Sequence, residues 1–239
     1  MLYPKSSRYD TPALRAMMMG PNPVKLLEEL MAGIALAPEA HVCDLGCGRG
    51  LTSVFLAREY GLRVTAADWW SEPEDNQAFF DAQGLSDRIT AVKSDATALP
   101  FARETFEAVI AVDSYHYYGR SEGFLDEKIL PFVRPGGLVA FAVPALPKGC
   151  HAHLPASLLA SWTPEQLDYL QSREYWCELL SHSTDAEVVL VKRMHSHEEV
   201  WKDWLALENP YAVNDRKAVR AGALDYLHFV AAVVRKRQD

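Results

Sequence analysis

His41-Val-Cys-Asp-Leu-Gly-Cys-Gly-Arg-Gly-Leu-Thr-Ser53 decides the fold. A short apolar strand, 42–45, runs into Gly46-x-Gly48-x-Gly50, and a helical stretch over about 51–60 follows. Glycines at such a turn take dihedrals that other residues resist and let the backbone approach a ligand closely. The first N–H groups of the new helix have no partner within it and face the same space. The next apolar stretch, Arg63-Val-Thr-Ala-Ala-Asp68, ends in an acid 22 residues after Gly46. That is the distance at which a strand-end carboxylate reaches ribose hydroxyls in a doubly wound fold.

The spacing is not the G-x-G-x-x-G of dinucleotide binders. An acid, Asp44, also stands two residues before the first glycine. A pyrophosphate repels a carboxylate at that place, whereas a ligand carrying an amino group and a sulfonium accepts one. This spacing disfavours a nicotinamide oxidoreductase.

Working outward, apolar runs near 41–45, 63–68, 89–93, 107–112 and 137–143 alternate with helical stretches near 51–60, 74–83 and 122–133. Alternation of this kind predicts a parallel sheet covered on both faces. Asn22-Pro23 opens a helix over about 24–35, with Asn as the cap and Pro at the first helical position. Its apolar stripe is Leu26, Leu27, Leu30, Met31 and Ile34. Past Ala145 the texture changes to a turn-rich linker. Helices are expected near 164–172, 173–181, 197–208 and 214–226, with strands near 186–193 and 227–236.

The 239 residues are read as a single domain. Residues 1–37 form an N-terminal arm and helix that can act as a lid, and 195–226 form a helical insertion before the last strand. The apolar fraction of 49% is that of a globular protein, and the net charge of −8 speaks against a general phosphate-backbone binder. The four cysteines and the Cys150-His151-Ala152-His153 cluster fit no standard zinc spacing, so no metal is expected. The beginning of the chain has no signal-peptide core and no apolar run reaches membrane-span length, which makes a cytoplasmic setting the expectation.

Four ordered motifs carry a resemblance to the class I S-adenosylmethionine-dependent methyltransferases. Asp44-Leu-Gly-Cys-Gly-Arg-Gly50 resembles their motif I. Ser94-Asp95-Ala96-Thr97-Ala98-Leu99-Pro100-Phe101 resembles their adenine-binding turn. Phe106–Asp113 and Leu130–Val143 resemble the fourth strand and the passage into the fifth. The resemblance is close over roughly 24–145. It implies an α/β, doubly wound, seven-stranded and mostly parallel sheet, with the last strand antiparallel between the fifth and sixth.

The family likeness also implies S-adenosyl-L-methionine as cofactor. Gly46, Gly48 and Gly50 then surround its methionine part, and Asp44 accepts from the methionine amine. Asp68 holds the ribose diol, unless it serves only as a helix cap. Trp69 covers one face of the adenine, or is plain core. Asp95 and the Ala96 amide read the adenine edge, with a simple turn as the other reading of Asp95. Asp113 places backbone groups near the methionine amine. The chain resembles the branch that includes quinone-biosynthesis and sterol C-methyltransferases and cyclopropane-fatty-acid synthases, which methylates small molecules at C, O, N or S, so the expected partner is a small-molecule acceptor, with no nucleic acid.

The stretch Asp113-Ser114-Tyr115-His116-Tyr117-Tyr118 follows the fourth strand. Ligands in open α/β sheets sit outside the carboxyl ends of strands. His116 is therefore the general-base candidate, or else a loop histidine packed by its tyrosines. Tyr117 is expected to line the acceptor pocket. The N-P-P-Y-type motif of amide and exocyclic-base methylators is absent here, which disfavours protein and nucleic-acid acceptors. A non-catalytic cofactor-binding protein is the remaining alternative. Trp201 and Trp204, spaced i, i+3, share one helix face and form either core or a lid.

Overall fold

The computed structural model describes residues 3–238. Seven strands form one sheet: β1 His41–Leu45, β2 Arg63–Asp68, β3 Ile89–Lys93, β4 Phe106–Val112, β5 Val133–Ala145, β6 Ala186–Arg193 and β7 His228–Lys236. Their order is β3-β2-β1-β4-β5-β7-β6. β1 to β5 pair in parallel, and β7 runs antiparallel between β5 and β6. The expected seven-stranded, mostly parallel sheet is therefore observed. The order reverses between β1 and β4, which makes their carboxyl ends the switch point where a crevice opens.

Ten α-helices lie among the described residues: α1 Pro12–Arg15, α2 Pro23–Met31, α3 Leu51–Tyr60, α4 Pro73–Ala82, α5 Tyr115–Tyr118, α6 Ala156–Leu159, α7 Pro164–Leu167, α8 Arg173–Ser181, α9 His197–Leu205 and α10 Pro210–Arg220. Side chains on successive strand residues point to opposite faces, and the sheet has a dry core on each. Val42, Ala108, Ile110 and Ala140 pack with α2, α3 and Trp204 on one side. Cys43, Val109, Phe141 and Tyr115 pack with Trp176 on the other. Tyr115 stacks on Phe141 with centroids 4.3 Å apart, and Trp176 stands edge-on to Phe141 at 5.2 Å. Both the Tyr115 and Trp176 side chains are fully buried, and truncating an aromatic of this kind costs roughly 3–5 kcal/mol.

Several expected elements differ from those observed. The helix expected over 122–133 is a π-helical turn, Leu125–Ile129, followed by a 3-10 turn, Leu130–Phe132. Pro131 has no N–H to continue the helical ladder, so the chain leaves it and β5 begins at Val133 rather than near 137. The helix expected over 164–172 closes after Leu167, held by a capping box between Thr163 and Gln166. The helix expected from 214 starts at Pro210, because Asn209 caps it through the Tyr211 amide. It stops at Arg220, two residues before Gly222, which adopts φ 93°. α2 ends at Met31, short of the expected Ala35.

The stretch before α2 packs on the body. Tyr3, Tyr9 and Met18 are buried. Tyr9 stands edge-on to Phe55 of α3 and donates to Glu59 at 3.1 Å. The amides of Lys5 and Ser6 donate to the Glu28 carboxylate of α2. Asn22 donates from its backbone to the Val200 carbonyl and from its side chain to Asp203, both on α9. Residues 17–22 therefore pass between the carboxyl edge of the sheet and the helices that precede β7. No helix among the described residues is long and apolar enough to cross a membrane.

Candidate active site

The glycine loop is a left-handed turn. Gly46, Gly48 and Gly50 have φ of 78°, 54° and 81°, a region that L side chains enter only under strain. Close contacts add to the demand. A Cβ on Gly46 would lie 2.4 Å from Cβ of Ser114, and one on Gly50 would lie 2.4 Å from the Phe80 ring of α4. The Ser114 hydroxyl donates to the Leu45 carbonyl at 2.8 Å. Asn76 of α4 donates to the Gly48 carbonyl at 2.8 Å. Ser114 after β4, with Phe80 and Asn76 of α4, thus fixes the loop from outside on two sides.

Asp44 is buried at the end of β1. Its Oδ2 accepts from the hydroxyls of Thr52 and Ser53, both at 2.6 Å, while Oδ1 is buried with no partner among the described residues. Burial pushes its pKa up to about 6 against the lowering effect of the two hydroxyls, and the Asp68 charge adds to the rise. A buried acceptor without a donor is costly. A charged amine on Oδ1 removes that cost.

Asp68 ends β2 with both oxygens aimed at backbone. Oδ2 accepts from Gly48 N at 2.9 Å, and Oδ1 accepts from Trp70 N and Ser71 N at 2.7 Å each. It organises the turn into α4, although the N-cap of α4 is Glu72. A carboxylate offers about four lone-pair sites, so one site on Oδ2 remains beside the glycine loop. Trp69 and Trp70 follow and are 56% and 82% exposed. The plain-core reading of Trp69 therefore does not hold, since more than half of the residue is open to solvent.

Asp95 Oδ1 accepts from the amide and hydroxyl of Thr97, both at 2.8 Å, and these bonds hold its pKa below the usual carboxylate range. Half of this carboxylate thus serves its own turn. Ala96 beside it is half-buried.

Beyond β4, Asp113 also adopts a left-handed φ, 55°. It packs against the arm, because a Cβ on Gly20 would fall 2.6 Å from Asp113 Oδ2. Burial, and then the charge of Asp215 on α10, push its pKa up to about 7. His116 is buried in α5 with Nδ1 unpartnered. Burial, and then Arg120, push its pKa down to about 3, so it is a neutral imidazole at physiological pH. Its ring lies 4.0 Å from that of Tyr117, which is exposed and lies 5.3 Å from the Tyr169 ring.

The sheet's switch point thus brings together Asp44, the three glycines, Asp68 and Asp113. Trp69, Asp95 and Ala96 stand after the ends of β2 and β3. Ser114, Asn76, Thr52 and Ser53 were not singled out in the sequence. Hydroxyl residues two and three positions after Gly50 are the one local signal that pointed to them. The arm also reaches the loop. A Cβ on Gly48 would lie 3.0 Å from the Met19 sulfur, and Arg49 donates to the Ala16 carbonyl at 3.3 Å. Trp201 and Trp204 are buried, so in this structure they are core. Among the described residues no three His, Cys, Asp or Glu side chains gather as a metal site.

Residues 42–137 match the model of a family described as methyltransferase domain. A glycine/sarcosine/dimethylglycine N-methyltransferase of Actinopolyspora halophila is 32% identical over 117 residues, 48% of this chain and 20% of that protein. The chain spans 20%, 42% and 48% of the lengths of the first three curated relatives it matches. Among solved structures, a Haemonchus contortus phosphoethanolamine N-methyltransferase 2 aligns with a TM-score of 0.74 at 19% identity, covering 100% of this chain and 60% of that one. The [4+2]-cyclase SpnF aligns with a TM-score of 0.70 at 15% identity, covering 100% and 94%. At these identities the structural matches speak to the fold.

Proposed function

We propose that the chain transfers a methyl group from S-adenosyl-L-methionine to a small-molecule acceptor, a reading supported by the match of residues 42–137 to the methyltransferase-domain family. The observation that carries this reading is the unpartnered, buried Oδ1 of Asp44 beside a left-handed glycine loop. A pyrophosphate cofactor would leave that acceptor orphaned and repelled. The amine of a methionine moiety satisfies it.

The residues present fit the cofactor. Asp44 would take the amine and the Gly46–Gly50 turn would lie along the methionine part. The free site on Asp68 would take a ribose hydroxyl, Trp69 would cover the adenine, and Asp95 with the Ala96 amide would meet its edge. Asp113 would stand near the methionine end. When bound, the sulfonium supplies an activated methyl group. The protein must orient an acceptor in line with that methyl and keep water away, and orientation of this kind supplies several kcal/mol of the barrier. The arm over Gly48 and the stretch 113–118 are placed to do so. His116 is the candidate base and Tyr117 the candidate wall of the acceptor pocket. A neutral imidazole can accept a proton that an acceptor loses, worth typically about 10²–10⁴-fold.

Small-molecule acceptors are the class named in the relatives that this chain resembles. The net charge of −8 also favours them over nucleic acid. The compartment we infer is the cytoplasm. Calorimetric titration with S-adenosylhomocysteine tests the reading. Micromolar binding of that compound and none of NAD is the expected result. Binding of NAD alone would overturn it.

A further inference from the structure

On the sheet face opposite α2 and α3, a cavity of about 190 Å³ opens between α5, the π-helical turn Leu125–Ile129 and α8. Tyr115, Glu122, Leu125, Asp126, Leu180 and His182 are among its lining residues. None of the residues assigned to the cofactor or the acceptor borders it. It is smaller than the roughly 300–1,000 Å³ of sites for drug-sized ligands, so its guest is a small molecule. The wide π turn beside it is a rare element that recurs at functional sites.

One wall is Tyr115, whose hydroxyl is buried and has no partner among the described residues. The ring is packed too closely to swing toward one. Its face lies on Phe141, Tyr118 stands edge-on at 5.4 Å, and Trp176 tilts against it at 5.9 Å. Gly119 also borders the cavity, and a Cβ there would run into Cε1 of the same ring. Burial, and then the charge of Asp126, push the phenol pKa up. The hydroxyl therefore stays neutral, able both to donate and to accept. Left without a partner, a buried group of this kind is costly.

The rest of the lining selects the sign of the guest. Leu125, Leu179 and Leu180 are apolar, and no lysine or arginine lines the cavity. Two carboxylates do. Asp126 accepts from the Ser183 hydroxyl and the Thr184 amide, which hold its charge in place. Glu122 reaches His182 Nδ1, at 3.4 Å, and no other partner among the described residues. An anion would meet two like charges here and no permanent cation, whereas an ammonium is attracted by both. We propose that this cavity is a second binding site, for a small organic ammonium. Its N–H donates to the Tyr115 hydroxyl, its charge faces Glu122 and Asp126, and its hydrocarbon lies on Leu125 and Leu180. The site stands apart from the methyl-transfer cleft, so it does not depend on the methyltransferase reading.

The test is an amide NMR titration of the full chain with n-butylammonium chloride, 1-butanol and sodium butyrate, with and without S-adenosylhomocysteine. Butylammonium should give saturable shifts over residues 119–126 and 179–183, at least tenfold tighter than either other probe. S-adenosylhomocysteine should leave those shifts in place. Tyr115→Phe removes only the hydroxyl. It should weaken butylammonium about tenfold, the loss of a hydrogen bond to a charged group, with no loss of thermal stability, since that hydroxyl is unpaired without a ligand. Glu122→Gln, on an exposed side chain, should weaken it as well. No saturable shifts over 119–126, equal binding of the three probes, or undiminished affinity in both variants overturns the proposal. Displacement of butylammonium by S-adenosylhomocysteine does so too, because it places the amine in the cofactor cleft. If S-adenosylhomocysteine itself fails to bind while the shifts persist, the methyltransferase reading falls and this site stands.

Discussion

Gly46 and Ser114 join the ends of β1 and β4, the two strands at the switch point. A Cβ on Gly46 would stand 2.4 Å from the Ser114 Cβ, while the Ser114 hydroxyl donates to the Leu45 carbonyl at 2.8 Å. The strand carrying Asp44 and the strand leading to Asp113 are thereby held in one geometry. Gly46→Ala meets both the clash and the left-handed φ of 78°. The φ alone costs roughly 1–2 kcal/mol, and overpacking adds about 1–3 kcal/mol. Chemical denaturation should show a loss of about 2–5 kcal/mol. The second change Ser114→Gly should recover the overpacking part only. Full stability in Gly46→Ala would refute the contact.

Cofactor affinity should depend on Asp44 ionisation. With its pKa pushed up to about 6 by burial, the carboxyl is largely protonated at pH 5 and ionised at pH 7. An amine binds the ionised form, so affinity is lost as pH falls through about 6. Between pH 7 and pH 5 the loss should approach about tenfold, since one pH unit below a pKa is at most a tenfold change in the ionised fraction. Calorimetry with S-adenosylhomocysteine across that range measures it. Asp44→Asn should bind weakly and show no such dependence. A wild-type affinity that is flat with pH would remove Asp44 from the amine site.

Asp68 has two tasks that one substitution separates poorly. Asp68→Ala should weaken cofactor binding at least tenfold, and it should also orphan the amides of Gly48, Trp70 and Ser71. A fully buried donor left unsatisfied costs about 1–3 kcal/mol; these amides are partly buried, so each should cost less than that and stability should fall modestly. Asp68→Asn keeps an acceptor oxygen for two of these amides and should restore much of the stability while leaving affinity low. Unchanged affinity in both variants would sink the ribose assignment.

The parts legible in the sequence were those fixed by neighbours along the chain. Gly46, Gly48 and Gly50 at a strand end, Asp68 at the next strand end and the alternation of apolar runs are local signals, and they point to a parallel sheet covered on both faces; the place of the antiparallel last strand came from the family resemblance. The π-helical turn at Leu125–Ile129 and the early start of β5 depend on where Pro131 stops the ladder, which apolar periodicity does not register. The third partner of the loop, Asn76, looks like any polar residue of a surface helix until α4 lies across Gly48. Asp215 was the least legible. Its hydrogen bond from Trp204 and its charge effect on Asp113 arise only when the insertion folds back, and no spacing in the sequence encodes them.

Asp113 gives the fold an acid-side preference. Its folded pKa is raised to about 7, above the ordinary carboxylate value, by burial and by Asp215. The native state therefore holds a proton that the unfolded chain has released, and stability declines as pH rises from about 4 to about 7. Asp113→Asn removes the charge and keeps the shape. It should raise stability at pH 8 by about 1–3 kcal/mol and leave it nearly unchanged at pH 4. Thermal unfolding of both proteins at the two pH values checks this. Equal effects at both would show that the burial carries no charge penalty.

His116 poses the last test, because its two readings make different demands. Its pKa, pushed down to about 3 by burial and by Arg120, keeps the imidazole neutral in the native state. The unfolded chain gains a proton near pH 6.5, so this residue costs stability as pH falls below that value. A packing histidine replaced by alanine loses stability and has its acid-side decline flattened, while turnover per folded molecule stays level. A base replaced by alanine also loses turnover, by about 10²–10⁴-fold with an acceptor that must shed a proton. Affinity for S-adenosylhomocysteine should be spared in either case. We expect the loss of turnover, together with a rate–pH profile of the wild type that shows no His116 inflection above pH 5. Turnover untouched in folded His116→Ala would leave this side chain a packing residue whose Nδ1 is orphaned for another reason.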